Sequence, residues 1–409
     1  MLKRLEGAAT TGGPPGVWRV PGMQPMLAAT GLGFAGVSLL MPVAPLWAIH
    51  GGADDLVAGL VNTVLMGSTV LAQLLVVRLL DRYGWQRSLA LGLLLLGLPA
   101  LAHLATDRPA VVVALAAVRG LGFGILTVCG ASAVAALVEP ARRGRAIGAY
   151  GLGIALPQCV LVPIAPWLAE RAGFWLVFAG AAVPLLGVPL TGRVARALHP
   201  AEDEPTAPEG PADRAGLRRA LVGPVAALVV ITAAGGAILT FTSRLIPGQA
   251  AVYLALLAFT ATAALARWGI GHLADRRGPA PAIAPLLFAG ALGLGAIAAG
   301  AAAGTGFGGA PLVVAGMLVV GAAYGGLQNL TLVQAFAAAG ERSRSSVSVV
   351  WNIGFDGGTG LGAFAAGALA TASSYSVAYV VLAAVTAAVG TGWAAARWRG
   401  SAREGSAST

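Results

Sequence analysis

Apolar residues in this chain fall into long unbroken blocks that recur from residue 24 to residue 397, with short breaks rich in Arg, Asp, Gly and Pro between them. A helix needs about 20 apolar residues to cross roughly 30 Å of hydrocarbon at 1.5 Å per residue, and most blocks have that length. Twelve spans are predicted, at residues 24–49, 56–79, 87–106, 109–138, 145–169, 174–196, 219–243, 249–273, 280–303, 309–338, 345–371 and 375–397. Strands of a membrane barrel would alternate apolar and polar positions with period two, and these blocks do not. The expected fold class is therefore an all-α integral membrane protein of twelve transmembrane helices.

The breaks between blocks differ in charge, and the difference predicts an orientation. Those around Arg78, Arg82 and Arg87, around Arg142, Arg143 and Arg145, and around Arg276 and Arg277 are basic, whereas His50–Asp55 and Ala372–Ser376 are acidic or uncharged. Short cytoplasmic loops carry the Arg and Lys excess, so both termini are expected in the cytoplasm. One interruption is long and polar: residues 199–219 hold Glu202, Asp203, Glu204, Pro205, Pro208, Pro211 and Asp213, a composition that cannot bury a core and reads as a linker. The expected organisation is a tail at 1–23, a six-helix bundle at 24–196, a linker at 197–218, a second bundle at 219–397 and a tail at 398–409. The first 22 residues are too polar for the core of a signal peptide, which places them in the cytoplasmic tail.

The two halves repeat each other. Leu79-Leu80-Asp81-Arg82-Tyr83-Gly84 follows the second block and Leu273-Ala274-Asp275-Arg276-Arg277-Gly278 follows the eighth, while Gly120, Gly124 and Gly153 align with Gly321, Gly325 and Gly354. A duplicated bundle makes the halves pseudo-symmetric, as in transporters built from repeats.

Composition narrows the chemistry. The chain is 57% hydrophobic and 10% charged, against roughly a quarter charged in a soluble domain. Its net charge of +10 is spread over many short loops, so no nucleic-acid partner is expected. Lys3 is the only lysine and no phosphate-binding loop precedes it, which excludes a pump driven by ATP binding to this chain. His50, His103, His199 and His272 are scattered, and Cys129 and Cys159 sit inside apolar blocks, so neither a metal centre nor a catalytic constellation is expected. The chain reads as a non-enzyme with no cofactor.

Charges that do lie inside spans are costly in lipid and must face a cavity or a partner. Arg119, Arg267 and Asp356 fall in the fourth, eighth and eleventh spans, whereas the third, sixth, ninth and twelfth hold essentially none away from their ends. Asp356 is the one carboxylate placed deep in a span, which makes it the leading proton carrier; the alternative is a fixed ion pair with Arg267. Asn352, Gln328, Asn329 and Gln334 enrich the C-terminal half in hydrogen-bonding groups, and Gln73, Asn62 and Gln158 do so more sparsely in the N-terminal half. Each of these amides is either a lining residue of a substrate and proton pathway or a hydrogen-bonded link between helices.

Twelve spans, a central acidic linker and the paired loop motif resemble the major facilitator superfamily over essentially the whole chain. Its loop signature, approximately G-x-L-a-D-R-x-G, is met in full by Gly271–Gly278; the first copy has Val77 in place of glycine and keeps Leu79, Asp81, Arg82, Gly84 and Arg87. The resemblance implies a conformational latch made by Asp81, Arg82, Gly84 and Arg87 with Gly271, Asp275, Arg276 and Gly278. Arg119-Gly120-Leu121-Gly122-Phe123-Gly124 is similar to a motif associated with proton-coupled members. The antiporter motif of the fifth span is degraded, with Gly153 and Pro157 present but not the glycine pairs. The resemblance thus implies a secondary active transporter of the bacterial plasma membrane, acting as a monomer and exporting a small organic molecule in exchange for protons. Import of a polar nutrient is the alternative, and a transporter-like sensor a remote one.

Overall fold

The computed structural model describes residues 17–139, 142–198, 214–303, 309–339 and 344–407, and they are almost wholly helical. A 3-10 turn at Val17–Arg19 leads into α1 (Met23–His50), followed by α2 (Asp55–Ala102), α3 (Pro109–Ala136) and α4 (Arg143–Ala172). Next come α5 (Phe174–Ala181), a 3-10 stretch Val183–Leu190 and α6 (Thr191–Ala197), and then α7 (Arg214–Leu245), α8 (Gln249–Arg277), α9 (Ala280–Ala303), α10 (Gly309–Ala339), α11 (Arg344–Ala372) and α12 (Tyr375–Ala407).

Among the described residues ten helical stretches are long and apolar enough to cross a membrane. One of them, Asp55–Ala105, is twice the length a crossing needs at 51 residues. It breaks at Gly84, whose φ of 71° and ψ of 174° are not helical, so α2 carries two spans back to back. Helix α11 has the length of a span, 29 residues, but is less apolar because it contains Asn352, Asp356 and a run of glycines. With the division at Gly84 and with α11, the spans number twelve, as the blocks predict. The sixth span is α5, the 3-10 stretch and α6 in succession; Pro184 and Pro189 remove backbone donors and tighten the turns between them. Helix α12 runs on to Ala407, ten residues past the predicted span end of 397, because an α-helix can continue beyond the bilayer where its side chains become polar. Most of the expected linker, like residues 1–16, lies outside the described residues.

Two large hydrophobic clusters hold most of the buried apolar residues, with a small third one of Leu221, Ala335 and Val347. Of the large clusters, one gathers Met23 to Val194, and the other gathers Ala227 to Leu382 and takes in only Ala58 and Val162 from the first half. The internal repeat is repeated in three dimensions. Gly120 and Gly124 of α3 press against the carbonyls of Leu65 and Thr69 on α2, and Gly321 and Gly325 of α10 press against those of Phe259 and Ala263 on α8. Lipid supplies no hydrophobic drive for helix association, so backbones approach closely where side chains are small, and the same glycines do this in each half. Gly84 and Gly278, the last residues of the paired loop motif, both take positive φ, 71° and 74°. The motif thus ends each copy with a turn that a residue bearing a Cβ makes only under strain.

Candidate functional site

The two bundles meet chiefly where α2 packs on α11 and α4 on α8, with α7 adding contacts to α1 and α2. The α2–α11 seam can be followed residue by residue from the end that carries Asp55. Leu56 N–H donates to Thr371 Oγ1 at 3.0 Å, and the Thr63 hydroxyl donates to the Gly360 carbonyl at 2.9 Å. Asn62 Nδ2 donates to the Met41 carbonyl and to Thr240 Oγ1 at 2.9 Å each, tying α1, α2 and α7 together. The seam ends at Gln73, whose Nε2 donates to Asp356 Oδ2 at 2.7 Å.

Past this point the same helix faces are bare. Val77 continues the α2 face that carries Gly59, Met66 and Gln73 and is 62% exposed; Val349 continues the α11 face that carries Gly360 and Asp356 and is 47% exposed. The seam is closed from the Asp55 end to mid-depth and open from there toward the Arg82 end. Asp356 is placed at the apex of that opening, 5% exposed.

Asp356 makes no ion pair with Arg267; the ion pair formed among the described residues is Asp55 with Arg244. The expected alternative of a fixed Arg267–Asp356 bridge is therefore not what the fold builds, because Asp356 turns toward the opposite bundle and takes an amide from Gln73. Arg267 lies instead beside Tyr324, which also sits near Asp356. The Tyr324 ring packs on Phe259 at 5.1 Å and on Phe355 at 6.3 Å between centroids, placing its hydroxyl among the polar groups of the C-terminal bundle. That hydroxyl approaches the Gln328 amide, yet neither amide atom of the buried Gln328 completes a hydrogen bond. The Trp351 indole donates to Thr331 Oγ1 at 3.2 Å across α10 and α11.

The remaining sequence candidates separate. Asn329 Nδ2 donates to the Arg267 carbonyl at 3.0 Å, linking α10 to α8, and Asn352 Nδ2 donates to the Ser348 carbonyl of its own helix at 2.9 Å. Each amide thus has one of its two N–H donors engaged by the scaffold. Arg119 is not at the seam: it is buried in the N-terminal bundle at 1% exposure, with one hydrogen bond, Nη2 to the Gly36 carbonyl at 3.4 Å. Its Nε and Nη1 have no partner, nor does Nε2 of buried His103, which is close enough to feel the Arg119 charge. Of the latch residues, Asp81, Arg82, Gly84 and Arg87 are exposed, with Arg82 over the Tyr83 ring at 5.6 Å. Gly278 makes its turn, while the side chains of Asp275 and Arg276, with Gly271, lie outside the described residues.

Tyr324 and the Asp55–Arg244 pair were not legible as site residues. A lone Tyr in an apolar block carries no motif, and Asp55 and Arg244 each fall at the end of a block, where a charge is ordinary. Only packing brings them to their partners.

A family model described as Major Facilitator Superfamily matches residues 26–356. Direct sequence comparison matches no curated protein. Among solved structures, the nucleoside transporter NupG superposes with a TM-score of 0.67, covering 91% of this chain and 98% of its own at 15% identity. The peptide transporter POT, in complex with sulfate, superposes with a TM-score of 0.75, covering 93% of this chain and 95% of its own at 16% identity. At such identities the likeness is one of fold, and the family match spans most of the chain. With twelve spans in two repeated bundles and a polar seam between them, this protein belongs to the Major Facilitator Superfamily and is a multi-pass membrane transporter, not an enzyme.

Proposed function

We propose that the chain is a proton-coupled exporter of a small organic molecule that works by alternating access, with Asp356 as the proton carrier. The observation that carries this reading is the Gln73–Asp356 hydrogen bond at 2.7 Å, which joins the two bundles where the closed seam gives way to the open one. A carboxylate there changes its bond to the opposite bundle when it gains or loses a proton. Charge movement and bundle movement are thereby coupled, since a ligand shifts a two-state equilibrium only through differential interaction with the two states.

The substrate surface we assign is Tyr324, Gln328 and Arg267 on the C-terminal bundle, together with the exposed apolar residues Val77 and Val349 on the open part of the seam. Unpaired hydrogen-bonding groups beside apolar side chains suit an amphipathic solute, and Arg267 suits one that carries an anionic group. By the Arg excess of its loops the Arg82 end faces the cytoplasm, so the form described is open inward; the location we assign is the bacterial plasma membrane. Exposure of Asp81 without an ion-pair partner among the described residues accords with a cytoplasmic latch that is undone in this form. Export is favoured by the mixture of polar and apolar residues assigned to that surface. Proton-coupled import of a polar solute is the second reading, favoured by the degraded antiporter motif around Gly153 and Pro157.

The test is transport by the purified protein in liposomes with an imposed pH gradient, across pooled drugs, metabolites and sugars. Movement opposite to the proton flux and abolished by an uncoupler establishes exchange; movement with the protons establishes import. No gradient-dependent movement across the panel removes proton coupling from the reading.

A further inference from the structure

The closed end of the seam has a chemistry of its own. Asp55, the first residue of α2, is approached by three helices of the opposite bundle. Arg244 at the end of α7 places its Nε 3.6 Å from Asp55 Oδ1. Gly367 of α11 lies against the Asp55 carbonyl and the Phe241 ring, so a Cβ at Gly367 would collide with the carbonyl and crowd the ring, and Thr371 accepts from the neighbouring Leu56 N–H. Tyr375, at the start of α12, packs on Phe241 with 5.5 Å between centroids; its buried hydroxyl lies beside both charges without completing a hydrogen bond to either.

The pair is neither sealed in protein nor freely solvated. Asp55 is 19% exposed and Arg244 46%, and a recess of about 670 Å³ lined by Arg244, Ala301, Ala370, Ser373, Tyr375 and Ser376 opens beside them. An ion pair held this way can separate and rehydrate when the bundles part. It is also the one ion pair among the described residues, and it crosses between bundles at the closed end, whereas Asp81 stands exposed at the open end. Nothing in the internal repeat predicts it.

We infer that Asp55, Arg244 and Tyr375 form the gate that holds this end of the seam shut, the counterpart of the paired loop motif at the opposite end. The inference rests on the reading that the two bundles rock against each other, but its test needs neither a substrate nor a gradient. Tyr375 supplies the wall against which the two charges meet. The closely fitted Gly367–Asp55 contact brings the helices near enough for a pair that, isolated on a surface, would hold little.

The experiment measures the distance between spin labels at Leu104→Cys and Ala250→Cys, exposed positions near the closed end of either bundle, with Cys129 and Cys159 replaced by Ala and the full chain in lipid nanodiscs. In the parent the short distance dominates. Arg244→Ala and Asp55→Ala are each expected to raise the long-distance population about fivefold, the effect of roughly one kcal/mol. Arg244→Lys, which keeps the charge, and the exchanged pair Asp55→Arg with Arg244→Asp are expected to bring the short distance back. Unchanged distances in both alanine variants overturn the gate. So does a long-distance population that neither Arg244→Lys nor the exchanged pair reverses, which assigns closure to packing alone. Transport assays on the same variants report separately on the proposed exchange, so failure of one reading is not failure of the other.

Discussion

Arg119 sets buried charge against function most sharply. A guanidinium with one long hydrogen bond and two unpartnered nitrogens in an apolar bundle contributes little to holding the fold. Burying a charge without a full set of partners is unfavourable, so replacing it by an apolar side chain of similar volume removes a desolvation cost and breaks no ion pair. Arg119→Met is therefore expected to unfold at the same temperature as the parent or higher, while gradient-driven transport falls by on the order of tenfold or more. Thermal unfolding in detergent beside liposome flux checks this; a strongly lowered midpoint assigns Arg119 to the scaffold instead. Asp356→Asn keeps a partner for Gln73 but removes the titrating proton. It is expected to lose gradient-driven accumulation and its pH dependence while retaining passive substrate exchange, and full accumulation with unchanged pH dependence would remove Asp356 as the carrier. That Asp356 and Arg119 are charges buried inside spans was legible, because charge in an apolar block is costly wherever it occurs and is driven away from lipid. Which group each one meets was not, since Gln73 lies on α2 and Gly36 on α1, far away along the chain.

Helices followed the apolar blocks closely, because span length is set by bilayer thickness and each block had only one way to satisfy its backbone in lipid. The departures have local causes: the sixth span is divided at its prolines, and α12 continues past its block. Gly84 shows how a motif residue serves an element. Its φ of 71° with ψ of 174° lies in a region that essentially only glycine occupies, and it turns one 48-residue helix into two antiparallel spans. Gly84→Ala is expected to cost about 1–3 kcal/mol and to lower the unfolding midpoint. The comparison is Gly148→Ala on α4, where a Cβ meets nothing and the midpoint should stay within error.

For the molecule as a whole, the decisive property is which end of the seam is closed. Val77→Cys and Val349→Cys are expected to react with a membrane-impermeant thiol reagent added from the Arg82 side only, and Met66→Cys and Ala363→Cys, at the closed part of the seam, to be protected from both sides. The outcome also tests orientation: in right-side-out cells the first pair should stay unlabelled until the cytoplasmic face is made accessible. Equal labelling of all four positions would mean that the seam is not closed between Asp55 and Gln73 in the membrane.

Span number, the pseudo-symmetric halves and the shortlist of charges inside the membrane could be read from the chain alone, because each depends on composition within one helix or on likeness between two segments. The paired loop motif even marked two of the glycines that turn at positive φ, Gly84 and Gly278. Tertiary structure alone decided that Asp356 takes Gln73 and not Arg267, that Tyr324 gathers the polar groups of its bundle, and that Asp55 meets Arg244. These contacts join helices whose order in the membrane no local pattern encodes. Helix faces in lipid are chosen by close packing and hydrogen bonding between distant segments, and a chain of apolar blocks leaves those choices open until the bundles assemble.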